Sequence, residues 1–407
     1  MLSTVWRALY SRQVLICILT GFSSGLPLYI LITLLPTWLR DVGVNLRTIA
    51  LFALISLPFT WKFIWSPLFD RYIPPLGRRR GWMLASQVLL LLSLPWFGFL
   101  SPHNNIWTIV YLALVVAFLS ASQDIAVDAY RREMLSPSRL ALGNVVHVNA
   151  YKIASLVPGA LALILADHMA WHWVFIIMAL FMLPGIFTTL CVSEPTLVGT
   201  PPKTLRSAVI EPVMEFVERR SFQHALLILG FIFLYKLGDS MATALATPFY
   251  LDMGFSKTEI GLVAKNAGLW SSVVGGLLGG LWMLKLGINR ALWVFGVVQM
   301  LSILGFVWLS ISTKSLWLLA LVIGAEAFGV GLGTAALVTF IANITHPLYT
   351  ATQFALFTSL AALPRTFANA ATGWLVEHLG WPIFFICCFC LALPGLLLLP
   401  KVAPWRS

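Results

Sequence analysis

Two carboxylates, Asp124 and Asp128, stand four residues apart in the stretch FLSASQDIAVDAYRRE, Phe118 to Glu133. They follow the apolar run IWTIVYLALVVAFLSAS, which reaches most of the way across a bilayer as a helix. Four-residue spacing puts both acids on one helical face. A charge at the bilayer centre costs about 2.5–3.5 kcal/mol on the most lenient scale, so it is kept where it is paired or does work. Comparable depth in other apolar runs is occupied by the bases Lys62, Lys152, Lys236, Lys265 and Arg365 and the acids Asp239 and Glu326. Such a set can carry protons and hold a charged solute. The acids Asp124, Asp128, Asp239 and Glu326 are the candidates for proton coupling. Metal and cofactor chemistry is not indicated. Cys17, Cys191, Cys387, Cys388 and Cys390 lie in apolar runs with no histidine at ligand spacing, and no Gly-Lys-Ser/Thr follows the glycine runs.

The elements that must position these groups are membrane helices. Of the 407 residues, 59% are hydrophobic and 10% charged. A soluble domain carries about 25% charged residues. The apolar runs do not alternate, which excludes a transmembrane barrel. Twelve spans are predicted: 14–36, 47–69, 82–100, 106–129, 145–166 and 171–192, then 222–250, 258–284, 291–311, 316–340, 350–374 and 379–400. This gives an all-α membrane protein with a six-helix half at 1–192, a linker at 193–221 and a second six-helix half at 222–407. The linker's later part, 205–219, reads as an amphipathic helix on the membrane surface.

The net charge of +11 is distributed for orientation and not for nucleic acid. With both termini cytoplasmic, 17 of the 26 Lys and Arg fall in cytoplasmic segments and only Arg40, Arg47, Lys257 and Lys314 opposite. The other five are the bases inside spans. Spans 3, 6, 9 and 12 hold no Asp, Glu, Lys or Arg at depth. Every third helix is therefore expected to face lipid while its neighbours line a cavity. That pattern resembles the major facilitator fold, with its three-helix repeats around a midplane site. SPLFDRYIPPLGRRRG between spans 2 and 3 resembles that fold's gate signature, here Asp70-Arg71 followed by Gly77, Arg78, Arg79 and Arg80.

Axial arithmetic suggests partners. Asp124 lies seven residues before Arg131 and Lys62 eight before Asp70, about 10 and 12 Å along their helices. Matching depth predicts that Lys62 neutralises Asp124, while Asp128 pairs with Arg131, Arg132 or the loop arginines. Lys236 and Asp239 can neutralise one another or meet substrate. The glycines of SVVGGLLGG and GVGLG permit close helix contact.

GFSSGLPL, KFIWSPLFDRYIPPLGRRRGW, SASQDIAVDA, LYKLGD and ATQFAL together resemble the AmpG-type muropeptide permeases of Gram-negative bacteria. The resemblance implies a monomeric, multi-pass importer in the bacterial inner membrane. It would be driven by protons and carry GlcNAc-1,6-anhydro-MurNAc with or without stem peptide, serving cell-wall recycling and, indirectly, β-lactamase induction. Partners are then the muropeptide, protons and the lipid bilayer. A facilitator of a drug or a sugar shares the fold and is the alternative. The candidate substrate surface comprises Ser23, Ser24, Trp61, Lys62, Gln123 and Tyr130 in the first half. In the second it comprises Lys236, Lys265, Asn266, Gln353, Arg365 and Asn369.

Overall fold

The computed structural model describes residues 11–44, 52, 55, 57–196, 204–256 and 259–405, with the side chains of 137, 138, 205, 265 and 365–371 left aside. Among the described residues the regular structure is helical throughout. Nine helical stretches among the described residues are long and apolar enough to cross a membrane. They include span 1 at Arg12–Asp41, span 3 at Arg80–Phe99, span 4 at Pro102–Met134, span 5 at Arg139–Ala166 and span 6 at Trp171–Cys191. Span 7 is Phe222–Asp252 and span 10 is Leu316–Ile344. The stretch Ile260–Ile311 holds spans 8 and 9, broken at Gly287 (φ 75°). Thr350–Leu397 holds spans 11 and 12, broken at Gly380 (φ 72°). Only glycine adopts this left-handed geometry without strain, so each break has a sequence cause. The predicted span 2 falls partly outside the described residues; its described end runs through Leu57–Trp61 and Pro67–Arg71.

The spans are not straight rods. Pro27 and Pro158 each remove a backbone donor, and a wider five-residue turn lies beside each, at Ile30–Leu34 and Val157–Leu161. Lipid tails are as apolar as leucine, so packing and polar contacts, more than exclusion from water, hold the helices together. Glycines supply the close approaches. A Cβ on Gly21 or Gly25 would come 2.4 Å from the carbonyl oxygen of His147 or Tyr151, so spans 1 and 5 touch backbone to backbone. Gly275 meets Phe328 and Gly331 meets Ser272 in the same way, joining spans 8 and 10 as the glycine runs predict.

The chain forms two compact units. One comprises residues up to Ser136, Val146–Pro212 and Thr345–Leu356. The other comprises Pro137–Val145, Val213–Ile344 and the chain from Phe357 on. Each unit has an aromatic core, and the two cores repeat one another. In the first, Trp171 at the start of span 6 donates to Asp41 at the end of span 1 at 2.9 Å, and Trp38 packs on Phe175 at 5.2 Å. In the second, Trp381 at the start of span 12 donates to Asp252 at the end of span 7 at 3.0 Å, and Phe249 packs on Phe385 at 4.8 Å.

The third helix of each set carries the exposed apolar surface expected of it, for example Leu92 and Trp96 on span 3 and Phe187 and Leu190 on span 6. Its other face is not inert. Gln87, Thr189 and Gln299 on spans 3, 6 and 9 are buried polar groups. The linker forms a helix at Leu205–Arg220, close to its predicted range.

Candidate functional site

In the first unit, span 4 presents Asp124 and Asp128 to different partners. The Ser24 hydroxyl of span 1 donates to Asp124 Oδ1. Asp128 takes the ions, Arg131 Nη2 at 2.9 Å and Lys62 Nζ at 3.7 Å, with the His147 ring Nε2 beyond them at 3.9 Å. The expected Lys62–Asp124 pair is therefore replaced by Lys62–Asp128, while the Asp128–Arg131 pair is present as predicted. Lys62 stands at the start of a 3-10 turn, Lys62–Ile64, between the helical pieces of span 2. His147 was missed by sequence reasoning. Its signal is positional: His147 and Tyr151, four apart, face the pair Gly21 and Gly25. The cluster holds a buried carboxylate with a neutral hydroxyl partner beside one already balanced by two fixed cations. Of the two, Asp124 can gain or lose a proton at less cost to the ion pairs.

Ser23 is the neighbour of Ser24 but turns to another face. Gln123 Nε2 donates to Ser23 Oγ at 3.0 Å, both fully buried. Thr189 donates to Gln87 Oε1 at 2.9 Å beside them. A Cβ on Gly185 would overlap Ser23 Oγ at 2.1 Å, so span 6 leaves no space over this serine. Ser23 and Gln123 thus sit in a polar seam between spans 1, 3, 4 and 6. Tyr130 donates to the Ser193 carbonyl at 3.1 Å, again between helices. Trp61 is half exposed and stacks on Phe63.

The candidate gate signature forms one buried network. Arg79 Nη2 bridges Asp70 at 2.7 Å and Glu133 at 2.6 Å, and its Nη1 donates to the Phe69 carbonyl at 2.9 Å. Arg78 pairs with Glu133 at 2.9 Å and donates to the Leu348 carbonyl at 3.3 Å. Asp70 also accepts from the Thr352 N–H at 2.8 Å, the Thr352 hydroxyl at 2.7 Å and the Ala351 N–H at 3.3 Å. These donors belong to the first turn of the helix starting at Thr350, where a carboxylate is favoured by unpaired N–H groups and the helix dipole. Arg71 lies over the Tyr72 ring at 5.0 Å.

Glu194, unremarked in the sequence, accepts the Arg79 and Arg80 N–H groups at 2.7 and 3.0 Å and caps span 3. Gly77 (φ 111°) leaves room for it, since a Cβ there would lie 2.6 Å from the Glu194 carboxylate. Arg80 answers by donating to the Thr189 and Leu190 carbonyls of span 6 at 3.1 and 3.0 Å. Burial alone would lower the Arg79 pKa, but Glu133 and Asp70 reverse this and raise it. Burial and the neighbouring Arg79 push Arg78 down.

In the second unit, Lys236 Nζ lies 3.4 Å from Asp239 Oδ2, the mutual neutralisation weighed above, and equally 3.4 Å from Gln299 Oε1 on span 9. Glu326 is buried on span 10. Asn266 is exposed and donates to the Leu262 carbonyl at 2.8 Å. Lys265, Arg365 and Asn369 lie on helices, but their side chains fall outside the described residues. Gln353 belongs to the first unit, where it accepts from the His346 N–H at 2.7 Å and donates to the Pro212 carbonyl at 2.8 Å. It fastens the linker helix there and offers little open surface.

Three comparisons bear on these arrangements. The Major Facilitator Superfamily description matches residues 17–368. An uncharacterized protein of Haemophilus influenzae is 49% identical over 98% of this chain and 96% of its own length. The anhydromuropeptide permease of Escherichia coli is 41% identical over 94% of this chain and 78% of its own length. Among solved structures, the human organic anion transporter MFSD10 (TETRAN) superposes with a TM-score of 0.68 at 16% identity, covering 95% of this chain and 99% of that one. A bacterial homologue of the iron transporter ferroportin gives 0.69 at 17%, covering 96% and 98%. At such identities these two speak for the fold alone. The chain is a multi-pass membrane transporter and not an enzyme, and it belongs to the major facilitator superfamily, within the AmpG-type group that contains the Escherichia coli anhydromuropeptide permease.

Proposed function

We propose that this protein imports anhydro-muropeptides, GlcNAc-1,6-anhydro-MurNAc with or without a stem peptide, across the bacterial inner membrane in symport with protons. The observation that carries the reading is the 41% identity to the Escherichia coli anhydromuropeptide permease, sustained over 94% of this chain. The site chemistry supports it. Asp124, which accepts from the Ser24 hydroxyl, takes the proton, and the Asp128–Lys62–Arg131 set holds the local charge balance. A stem peptide carries more carboxylates than amines, and Lys236, Lys265 and Arg365 are the bases of the second half assigned to meet them, Arg as a planar fork. Alternating access requires the Asp70–Arg79–Glu133 network and its hold on Thr352 to form and break in each cycle. Through this import the protein serves cell-wall recycling and, indirectly, β-lactamase induction.

Uptake of labelled anhydro-muropeptide into vesicles containing the full chain tests the proposal. Accumulation is expected with an inward proton gradient and only equilibration when a protonophore collapses it. Absence of any uptake would refute the cargo, and uptake indifferent to the gradient would refute the coupling.

A further inference from the structure

Span 7 is interrupted by a turn at Lys236 (φ −105°, ψ −3°, at the edge of the right-handed helical region), between Phe222–Leu234 and Leu237–Ala244. Helix breaks at membrane depth persist where protein or water satisfies the freed polar groups, and sharp kinks arise where a side chain or a water enters the ladder. The polar groups at this break are incompletely met. Lys236 Nζ is stretched between Asp239 Oδ2 and Gln299 Oε1 at 3.4 Å each, against about 2.7–2.9 Å for a charge-assisted bond. The Asp239 side chain is nine-tenths buried, and its Oδ1 has no hydrogen-bond partner.

A small cavity of about 10 Å³ lies at this carboxylate, lined by Tyr235, Asp239, Gln299 and the apolar side chains of Met300, Ile303 and Leu396. That volume matches about one water. Span 10 is shaped to keep Gln299 here, because a Cβ on Gly333 would lie 1.9 Å from Gln299 Oε1.

We propose that this cavity is a binding site for a single water molecule, which bridges Asp239 to span 9 and fixes the bend of span 7. Water supplies what the site lacks. It donates to Asp239 Oδ1 and accepts from the Gln299 amide or the Lys236 ammonium, and the Tyr235 oxygen can take its second hydrogen while its own O–H stays on the Leu292 carbonyl at 3.1 Å. A sodium ion fits poorly. Lys236 already balances Asp239, so a further cation leaves net positive charge in a region of low dielectric. A dry cavity leaves a buried carboxylate oxygen unbonded, a costly state that one water removes. The site goes beyond the transport reading, since it concerns no cargo and no coupling ion.

Radiolytic hydroxyl labelling of the full chain in nanodiscs tests it, because X-ray pulses split bound water and mark the side chains beside it. Tyr235 (6% exposed) is read by peptide mass spectrometry against Tyr250 (5% exposed), which lies in the apolar core of the same unit. Several-fold stronger labelling of Tyr235 is expected, and it should fall to the Tyr250 level when Lys236→Met is combined with Asp239→Leu. Equal labelling of the two tyrosines in the native chain overturns the proposal, whether or not the double variant folds. So does undiminished Tyr235 labelling in a folded double variant. Labelling that changes when sodium chloride replaces choline chloride overturns water in favour of a cation.

Discussion

Asp124 and Asp128 differ by one helical turn and by the groups that bond them. Asp128 is held by Lys62 and Arg131, whereas Asp124 has the Ser24 hydroxyl. Neutralising Asp128 would strand two buried cations, and breaking a buried pair by removing one partner costs about 3–5 kcal/mol. Neutralising Asp124 strands none. Asp124→Asn is therefore expected to insert and fold while losing gradient-driven accumulation, with exchange of internal for external cargo retained. Asp124→Glu should recover part of the accumulation. Normal accumulation by Asp124→Asn in a vesicle assay would make the residue structural. The sequence disclosed Lys62, Asp124, Asp239 and Glu326 as buried charges, because cost in a membrane makes each one conspicuous. It did not disclose the pairing. One turn is about 5.4 Å of rise, within the reach of a lysine side chain, so matched depth could not decide between Asp124 and Asp128 for Lys62. Nor did it disclose Glu133, Glu194 or His147, which stand next to charged or apolar neighbours that account for them locally.

The elements were legible where a single residue type sets a boundary. Gly287 and Gly380 end spans 8 and 11 by left-handed backbone. Ser221 does the same work without the permissive residue: it joins the linker helix to span 7 at φ 67°, ψ 146°, a region nearly reserved for glycine. Such strain costs about 1–3 kcal/mol, more than the entropy glycine forfeits, so Ser221→Gly should stabilise the protein by about 1 kcal/mol. A raised thermal midpoint in detergent checks this, and Ser221→Val should lower it.

Span 8 begins with reciprocal caps. The Ser256 N–H donates to Glu259 Oε2 at 2.7 Å and the Glu259 N–H to Ser256 Oγ at 3.2 Å, a capping box, with Lys314 paired to the same carboxylate at 2.9 Å. Lys314 first, then the Ser256 N–H, holds the Glu259 carboxyl below its usual range. A carboxyl depressed in the folded state stabilises fully above its unfolded value, near pH 4.3, and loses that contribution as pH falls through the folded value. Amide-exchange protection at the start of span 8, taken as a ratio to Glu259→Gln, should thus exceed one at neutral pH and decline towards one on acidification. A ratio flat with pH would show that the cap does not titrate there.

At the scale of the whole molecule, two kinds of order were present and only one was visible in the sequence. The spacing of charged and uncharged spans disclosed the plan of three-helix sets. The repeat between units was hidden, because it is carried by geometry and not by residue type. Trp38 and Phe249 are different side chains that do the same packing, and the two Trp-to-Asp bonds join residues 130 and 129 apart in the chain.

That repeat also bears on orientation. Within the first unit, the end that holds Asp41 and Trp171 carries few bases, whereas Arg12, Arg78, Arg79, Arg80 and Arg131 gather at the other, where Arg12 and Arg80 bind the last carbonyls of span 6. By the positive-inside rule that end is expected to be the cytoplasmic one. Both termini should then be cytoplasmic. Reporter fusions after Pro102 and Asp167 are expected to read periplasmic, and fusions after Gly77 and Lys203 cytoplasmic. A periplasmic reading at Lys203 would invert the charge argument for the whole chain, since the linker joins the two sequence halves and fixes the sidedness of both.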